Sequence, residues 1–127
     1  VFAQYPQITA AAVINGSFHF EPIVKYIETV LSKEDLEAVR DSHIHFGSDP
    51  AKEIDALVNR PILMVNGGAD PVILPSWQRV FYKQIAPLYD DQERIRFVEY
   101  EHLGHFVTTN IMEEVVRWAD RWIGGTE

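Results

Sequence analysis

The chain has 127 residues, 46% hydrophobic and 24% charged, a composition typical of a folded globular protein. Its net charge of −8 disfavours nucleic acid and anionic membrane surfaces as partners, so we expect a small, neutral or weakly polar substrate. Cysteine is absent, which excludes disulfides, thiolate zinc ligands and cysteine nucleophiles and fits a cytoplasmic protein. The apolar runs, such as residues 8–14 and 61–65, are too short to span a bilayer.

The first half of the chain predicts one strand followed by helices. Residues 8–14 form a short apolar run that ends at Asn15-Gly16, typical of a strand buried on both faces. Helices are predicted over 21–31, from Ser32 to about residue 40, and over 50–59. Ser32 and Asp35 resemble a capping box, while Asp49 and Pro50 have the residue types of an N-cap and a first helical turn.

The second half alternates more regularly. Residues 61–66 predict a buried strand closed by Gly67-Gly68, and residues 94–100 predict a third strand. Between them, Ser76 is predicted to cap a helix through about residue 88. The side chains expected on the core face of that helix are Trp77, Val80, Phe81, Gln84 and Ile85. The final helix is predicted over 110–123, and Trp118 and Trp122 occupy core positions in it.

This order of elements predicts an α/β fold with about three parallel strands and flanking helices. A sheet of three strands is thin, and its first strand would present an open edge to solvent, which is hazardous for a stable protein. The sheet is therefore expected to be incomplete. We interpret residues 1–127 as a single partial domain.

Two polar segments follow the last two strands. Asp70 lies in the turn after residues 61–66, and His105 lies in the loop after residues 94–100. Catalytic groups of open α/β sheets gather at the carboxyl ends of the strands. If the two strands are parallel neighbours, Asp70 and His105 meet at one edge, where a carboxylate orients an imidazole for proton transfer. Gly104 is expected to allow the sharp turn that brings His105 close.

Several alternatives to this pair remain open. Glu99 and Glu101 are weaker candidates for the acid, and His102 is a competitor for the base. Ser17 is the only serine next to a glycine near a strand end, but no strand–serine–helix elbow surrounds it. A metal site is a further alternative, because imidazole is a common ligand and the chain contains His43, His45, His102 and His105.

Three segments, in this order, resemble the α/β-hydrolase superfamily. Residues 60–72 (RPILMVNGGADPV) are similar to the segment in which a strand ends in glycine before the triad acid, and Gly104-His105 to the segment with the catalytic histidine. Residues 5–16 are similar to the strand after the nucleophile-bearing helix. The resemblance is closest to the dienelactone-hydrolase and prolyl-oligopeptidase-like branch, including bacterial esterases. It implies the C-terminal half of that fold, with residues 20–59 as a helical cap insertion.

The resemblance also implies acyl transfer, with Asp70 as the triad acid, His105 as the base and no cofactor or metal. The Gly-x-Ser-x-Gly nucleophile elbow of the family is absent from the sequence and is expected before Val1. The chain alone is therefore expected to be inactive. The leading hypothesis is the C-terminal portion of a carboxylesterase-like serine hydrolase that acts on a small ester or amide and requires the missing N-terminal half.

Two other functions are kept as alternatives. One is an inactive, truncated hydrolase-like module that associates with itself or with a partner chain through its exposed sheet edge. The other is a metal- or ligand-binding α/β domain, which depends on the four histidines named above.

Overall fold

The computed structural model describes residues 2–41 and 49–124. The strands are β1 (Ala11–Ile14), β2 (Ile62–Gly67) and β3 (Ile95–Tyr100). The α-helices are α1 (Glu21–Val30), α2 (Lys33–Asp41), α3 (Ile54–Leu57), α4 (Pro75–Ile85) and α5 (Thr109–Trp122). Short 3-10 turns cover Pro50–Lys52, Ala86–Leu88 and Gln92–Arg94.

The three strands form one parallel sheet in the order β1-β2-β3. Ala11 pairs with Ile62, and Ile62 pairs in turn with Ile95, so the strands start level with one another. At the other end, Gly67 pairs with Tyr100. The α/β fold predicted from the alternation of elements is thus confirmed, and the polar turns after β2 and β3 emerge at the same edge of the sheet.

Strand β2 is the centre of the molecule, and all six of its residues are buried. Ile62 and Met64 point to one face, where they pack with α3 and α4. Leu63 and Val65 point to the other face, where they pack with α5. Helices therefore cover both faces of the sheet, as expected for parallel strands.

The prediction that the first strand is buried on both faces is wrong. Regular pairing begins only at Ala11, and within β1 the side chain of Ala12 is exposed while its neighbours are partly buried. Among the described residues, β1 pairs only with β2, so that it forms an edge of the sheet. Its apolar composition matches a central strand, but its position leaves one side uncovered.

Helix starts depend on which residue occupies the first turn. Ser32 caps α2 as predicted, since its hydroxyl accepts a hydrogen bond from the Asp35 amide at 3.1 Å, but the Asp35 carboxylate accepts from the Ser32 hydroxyl at 2.6 Å where a capping box would bond the Ser32 amide. Asp49 caps the turn at Pro50 as predicted, but the helix breaks at Glu53 into a 3-10 turn and the short α3. Ser76 does not cap α4, since Pro75 already occupies its first turn and Leu74 is the N-cap residue without a side-chain bond.

The buried face of α4 differs from the predicted one. Phe81 and Ile85 are buried as expected, but Val80 is 48% exposed and Gln78 is fully buried. Trp77 is partly buried and contacts the ring of Tyr26 in α1, with 6.1 Å between the ring centres. Helical spacing alone allowed either face, and packing against the sheet selects the one with Gln78.

Among the described residues of the range 20–59, helices α1 and α2 contribute no buried residue to the core, whereas α3 does. Helix α1 has no buried residue, whereas Leu57 in α3 is fully buried against the strands. The C-terminal end of this range therefore belongs to the core, and a cap role for the rest stays a prediction. Residues 42–48 of this range lie outside the described residues. No helix in the described part of the chain is long and apolar enough to cross a membrane.

Candidate active site

Asp70 and His105 meet at the carboxyl ends of β2 and β3. The Nδ1 atom of His105 lies 2.7 Å from Oδ2 of Asp70. The two turns are joined by backbone hydrogen bonds, from the Gly68 amide to the Tyr100 carbonyl and from the Ala69 amide to the Leu103 carbonyl. The geometry expected from two parallel neighbouring strands is present, while the catalytic roles of the two residues stay predictions.

The carboxylate of Asp70 is held by bonds to both of its oxygens. Its side chain is fully buried, and Oδ1 accepts hydrogen bonds from the amides of Val72 and Ile73 at 2.8 and 3.0 Å. Burial raises the pKa of this carboxyl, but the bonds from His105 and the two amides outweigh burial and hold the pKa below its ordinary value. Asp70 is therefore ionised at neutral pH, and its partner nitrogen on His105 carries the proton.

The imidazole of His105 is oriented but accessible. Its side chain is 44% exposed. Because Nδ1 donates to Asp70, Nε2 is the unprotonated nitrogen of the neutral ring. Nε2 has no hydrogen-bond partner among residues 2–41 and 49–124. A ring in this state accepts a proton at Nε2 and becomes an imidazolium that the buried carboxylate stabilises.

Close approach of the two turns depends on Gly67 rather than on Gly104. A Cβ atom at Gly67 would lie 2.2 Å from the Gly104 carbonyl oxygen and 2.3 Å from that of Leu103. At Gly104 a Cβ atom would meet only the ring of Phe106, at 3.4 Å, and the backbone has no positive φ there. The sharp turn expected at Gly104 therefore does not require glycine at that position.

The sequence alternatives for the acid and the base are either bonded to other groups or largely exposed. Glu99 forms a bidentate ion pair with Arg79. His102 is 92% exposed, and its Nε2 lies 3.9 Å from a Glu101 carboxylate that is equally exposed. The Ser17 hydroxyl is engaged with the backbone of His19, in a loop that is not an elbow.

A second group of possible metal ligands differs from the one suggested by the sequence. His43 and His45 lie outside the described residues. Among the residues that are described, the close group consists of His19, Glu21 and Asp49, with ligand atoms within 4.8 Å of one another. The Asp49 oxygens already accept three backbone hydrogen bonds, and Glu21 is paired with Lys25 at 2.7 Å. These partners account for the cluster as a structural one, in which Asp49 joins the start of α1 to the Pro50 turn.

Asn15 is a site residue that the sequence did not reveal. It follows β1 with a φ of 46°, and its side chain bonds to the turns of both other strands. The only local signal was the Asn-Gly pair at the end of the strand, which indicates a turn and says nothing about partners.

No family model matches the sequence. Among solved structures, the chain is similar to TT1662 from Thermus thermophilus, with a TM-score of 0.65 and 16% identity over 93% of this chain and 46% of that one. It is also similar to acyl-protein thioesterase 2 from Zea mays, with a TM-score of 0.44 and 23% identity over 61% of this chain and 32% of that one. The chain thus spans about half and about a third of their lengths. Both neighbours have folds of the α/β-hydrolase type.

Proposed function

From a chain with part of an α/β-hydrolase fold, we propose a hydrolase-type module in which Asp70 and His105 are the acid and base of a catalytic triad. The nucleophilic serine would come from residues outside these 127, because the chain contains no Gly-x-Ser-x-Gly elbow. The proposed reaction is hydrolysis of a small ester, with an amide as the less favoured substrate. Such acyl transfer uses side chains and water alone.

The observation that carries this proposal is the 2.7 Å contact between Nδ1 of His105 and the buried carboxylate of Asp70. Two features distinguish this contact from a surface ion pair. The carboxylate is also held by two backbone amides, and Nε2 of the partly exposed imidazole has no hydrogen-bond partner in the described part of the chain. Both features support proton transfer at Nε2.

In the proposed mechanism, Nε2 of His105 accepts the proton of the serine hydroxyl as the serine oxygen bonds to the substrate carbonyl carbon. The imidazolium, stabilised by Asp70, then gives that proton to the departing alcohol when the ester bond breaks. Water repeats the sequence on the acyl-enzyme and releases the acid. Asp70 keeps its charge throughout, as its lowered pKa requires.

The test compares the complete polypeptide that contains this chain with the 127 residues alone. We expect the complete protein to hydrolyse p-nitrophenyl acetate and to react with a fluorophosphonate probe, and we expect the isolated chain to do neither. Asp70→Asn and His105→Asn should each lower kcat by about 10⁴, the order seen when a triad histidine loses its orientation. His102→Asn is the control, because its side chain is exposed in the same loop without touching Asp70.

Two results would contradict the proposal. Labelling of a serine in the isolated chain would show that the nucleophile lies within these residues. Full esterase activity in Asp70→Asn or His105→Asn of the complete protein would show that the pair has no catalytic role.

The open edge of β1 favours a second candidate function, that of an inactive module that associates through this edge. The amides of Ala11 and Asn15 bond to β2, so the alternation along a strand leaves those of Ala12 and Ile14 facing away from the sheet. The free face of α5 adds exposed apolar side chains at Met112 and Val116. Partners under this candidate are a second copy or another partner chain.

Sedimentation of the isolated chain tests this second candidate. A dimer that is broken by Ala12→Pro would support association through β1, because proline removes an amide from the open edge. A chain that stays monomeric at all concentrations, or a dimer that survives Ala12→Pro, would contradict self-association through β1.

A further inference from the structure

Asn15, directly after β1, connects the end of β2 with the loop that follows β3 through one side chain. Its Nδ2 donates to the Phe106 carbonyl at 2.9 Å, and its Oδ1 accepts from the Gly67 amide at 3.0 Å. Its own backbone amide donates to the Val65 carbonyl at 2.8 Å. The residue is 8% exposed; its bond to the Gly67 amide is buried, and its bond to the Phe106 carbonyl is partly buried.

The two side-chain bonds reach both halves of the Asp70–His105 pair. Phe106 is the residue after His105, and Gly67 is the last residue of β2, directly before the turn that leads to Asp70. The partners lie 91 and 52 residues away from Asn15 in the sequence. A shift of Asn15 would therefore change the position of one turn relative to the other.

Asparagine meets both requirements of this position. The backbone has a φ of 46°, in the left-handed region that asparagine and glycine tolerate better than other residues. The side chain must also donate on one side and accept on the other. Aspartate offers no donor when ionised, and glycine offers neither group.

We propose that Asn15 is a positioning residue that sets the distance between the His105 imidazole and the Asp70 carboxylate by holding the turns on which they lie. An effect of Asn15 on catalysis rests on the proposed function, whereas its positioning of the two side chains does not. Asn15 contacts neither side chain of the pair and acts only through the backbone at Gly67 and Phe106.

Asn59 provides a matched control within the same chain. It also has a positive φ, of 63°, and both ends of its side-chain amide are bonded, in this case to Asp90. It precedes β2 and so lies at the opposite end of that strand from Asp70. Replacing either asparagine by glycine keeps the backbone conformation and removes two side-chain hydrogen bonds.

The test is made on the 127-residue chain by NMR, with two readouts that need no activity. The first is the low-field proton resonance of the bond between His105 Nδ1 and Asp70. The second is the titration of the Asp70 carboxyl carbon. In Asn15→Gly we expect loss or strong broadening of the resonance and a rise of the Asp70 pKa towards its ordinary value. Asn59→Gly should leave both readouts unchanged.

Asn15→Asp is the second variant in case Asn15→Gly does not fold. It keeps the acceptor for the Gly67 amide but turns a carboxylate oxygen towards the Phe106 carbonyl, so we expect the same loss of the resonance. A wild-type resonance and titration in a folded Asn15 variant would overturn the proposal. An equal change in Asn59→Gly would overturn it as well, since the effect would then be one of general stability.

The complete protein separates this inference from the proposed function. There we expect Asn15→Gly to lower kcat for the ester at least tenfold with little change in KM, and Asn59→Gly to lower neither. If the complete protein has no esterase activity while the NMR effects are found, the proposed function fails and the positioning role stands. If the enzyme is active and the NMR readouts of Asn15 variants match wild type, the positioning role alone fails.

Discussion

Replacement of Gly67 by alanine tests how tightly the turns that carry Asp70 and His105 are packed. The new Cβ atom would lie 2.2 and 2.3 Å from two backbone oxygens, those of Gly104 and Leu103, and real Cβ atoms essentially never come closer than 3.0 Å to a neighbour. The turn after β3 would therefore have to move away by about 1 Å, and backbone cannot rotate aside as a side chain can. That movement would lengthen the 2.7 Å contact between Asp70 and His105 beyond hydrogen-bonding range.

Overpacking of this kind costs 1–3 kcal/mol, and the rigid neighbours place Gly67→Ala near the upper end, at about 3 kcal/mol. For a chain of this length that corresponds to a fall in Tm of roughly 10 °C. Gly104→Ala is the control, because its Cβ would meet only the Phe106 ring at ordinary contact distances, and we expect a change within about 0.5 kcal/mol.

Thermal unfolding followed by circular dichroism measures both variants, and NMR shows whether the His105 proton resonance survives. A Tm of Gly67→Ala within about 2 °C of wild type would refute the reasoning, given the size of the expected effect. An equal loss in Gly104→Ala would also refute it, since the clash would then not be specific to the first glycine.

Three further predictions concern charged side chains. The pKa of Asp70 is lower in the folded chain than in the unfolded one. Its contribution to stability is therefore present above about pH 4 and is lost as pH falls through the lower folded pKa. The free energies of unfolding of wild type and Asp70→Asn, measured by urea denaturation, should converge in acid. Arg60 donates to the carbonyls of Phe2, Tyr5 and Ile8, and Arg60→Met should cost about 2 kcal/mol and expose residues 2–8 to limited proteolysis. Asp49→Ala removes three bonds to backbone amides and should lower the free energy of unfolding by about 2 kcal/mol in the same denaturation assay. A loss below about 0.5 kcal/mol would contradict the structural role of Asp49.

Sequence reasoning succeeded where a feature depends on local pattern. The apolar run that became β2 and the cap at Ser32 are set by neighbouring residues, and both appear in the structure. The alternation of elements was enough to predict parallel strands. The contact between Asp70 and His105 then followed from topology, because parallel neighbours end at the same edge of a sheet.

Features that depend on distant partners could not be obtained in this way. The exposure of β1 depends on what covers its edge. The burial of Gln78 in place of Val80 depends on how α4 packs on the sheet. Asn15 makes its decisive bond to a residue 91 positions away. The need for glycine at Gly67 likewise arises from the approach of a loop that follows another strand.

The turns that carry Asp70 and His105 follow strands of unequal burial. The Asp70 turn follows β2, whose six residues are all buried, whereas the His105 loop follows β3, which has one buried, three partly buried and two exposed residues. We therefore expect larger thermal motion of the His105 imidazole than of the Asp70 carboxylate. Amide hydrogen exchange would show this as slow exchange along residues 62–67 and faster exchange along 95–106.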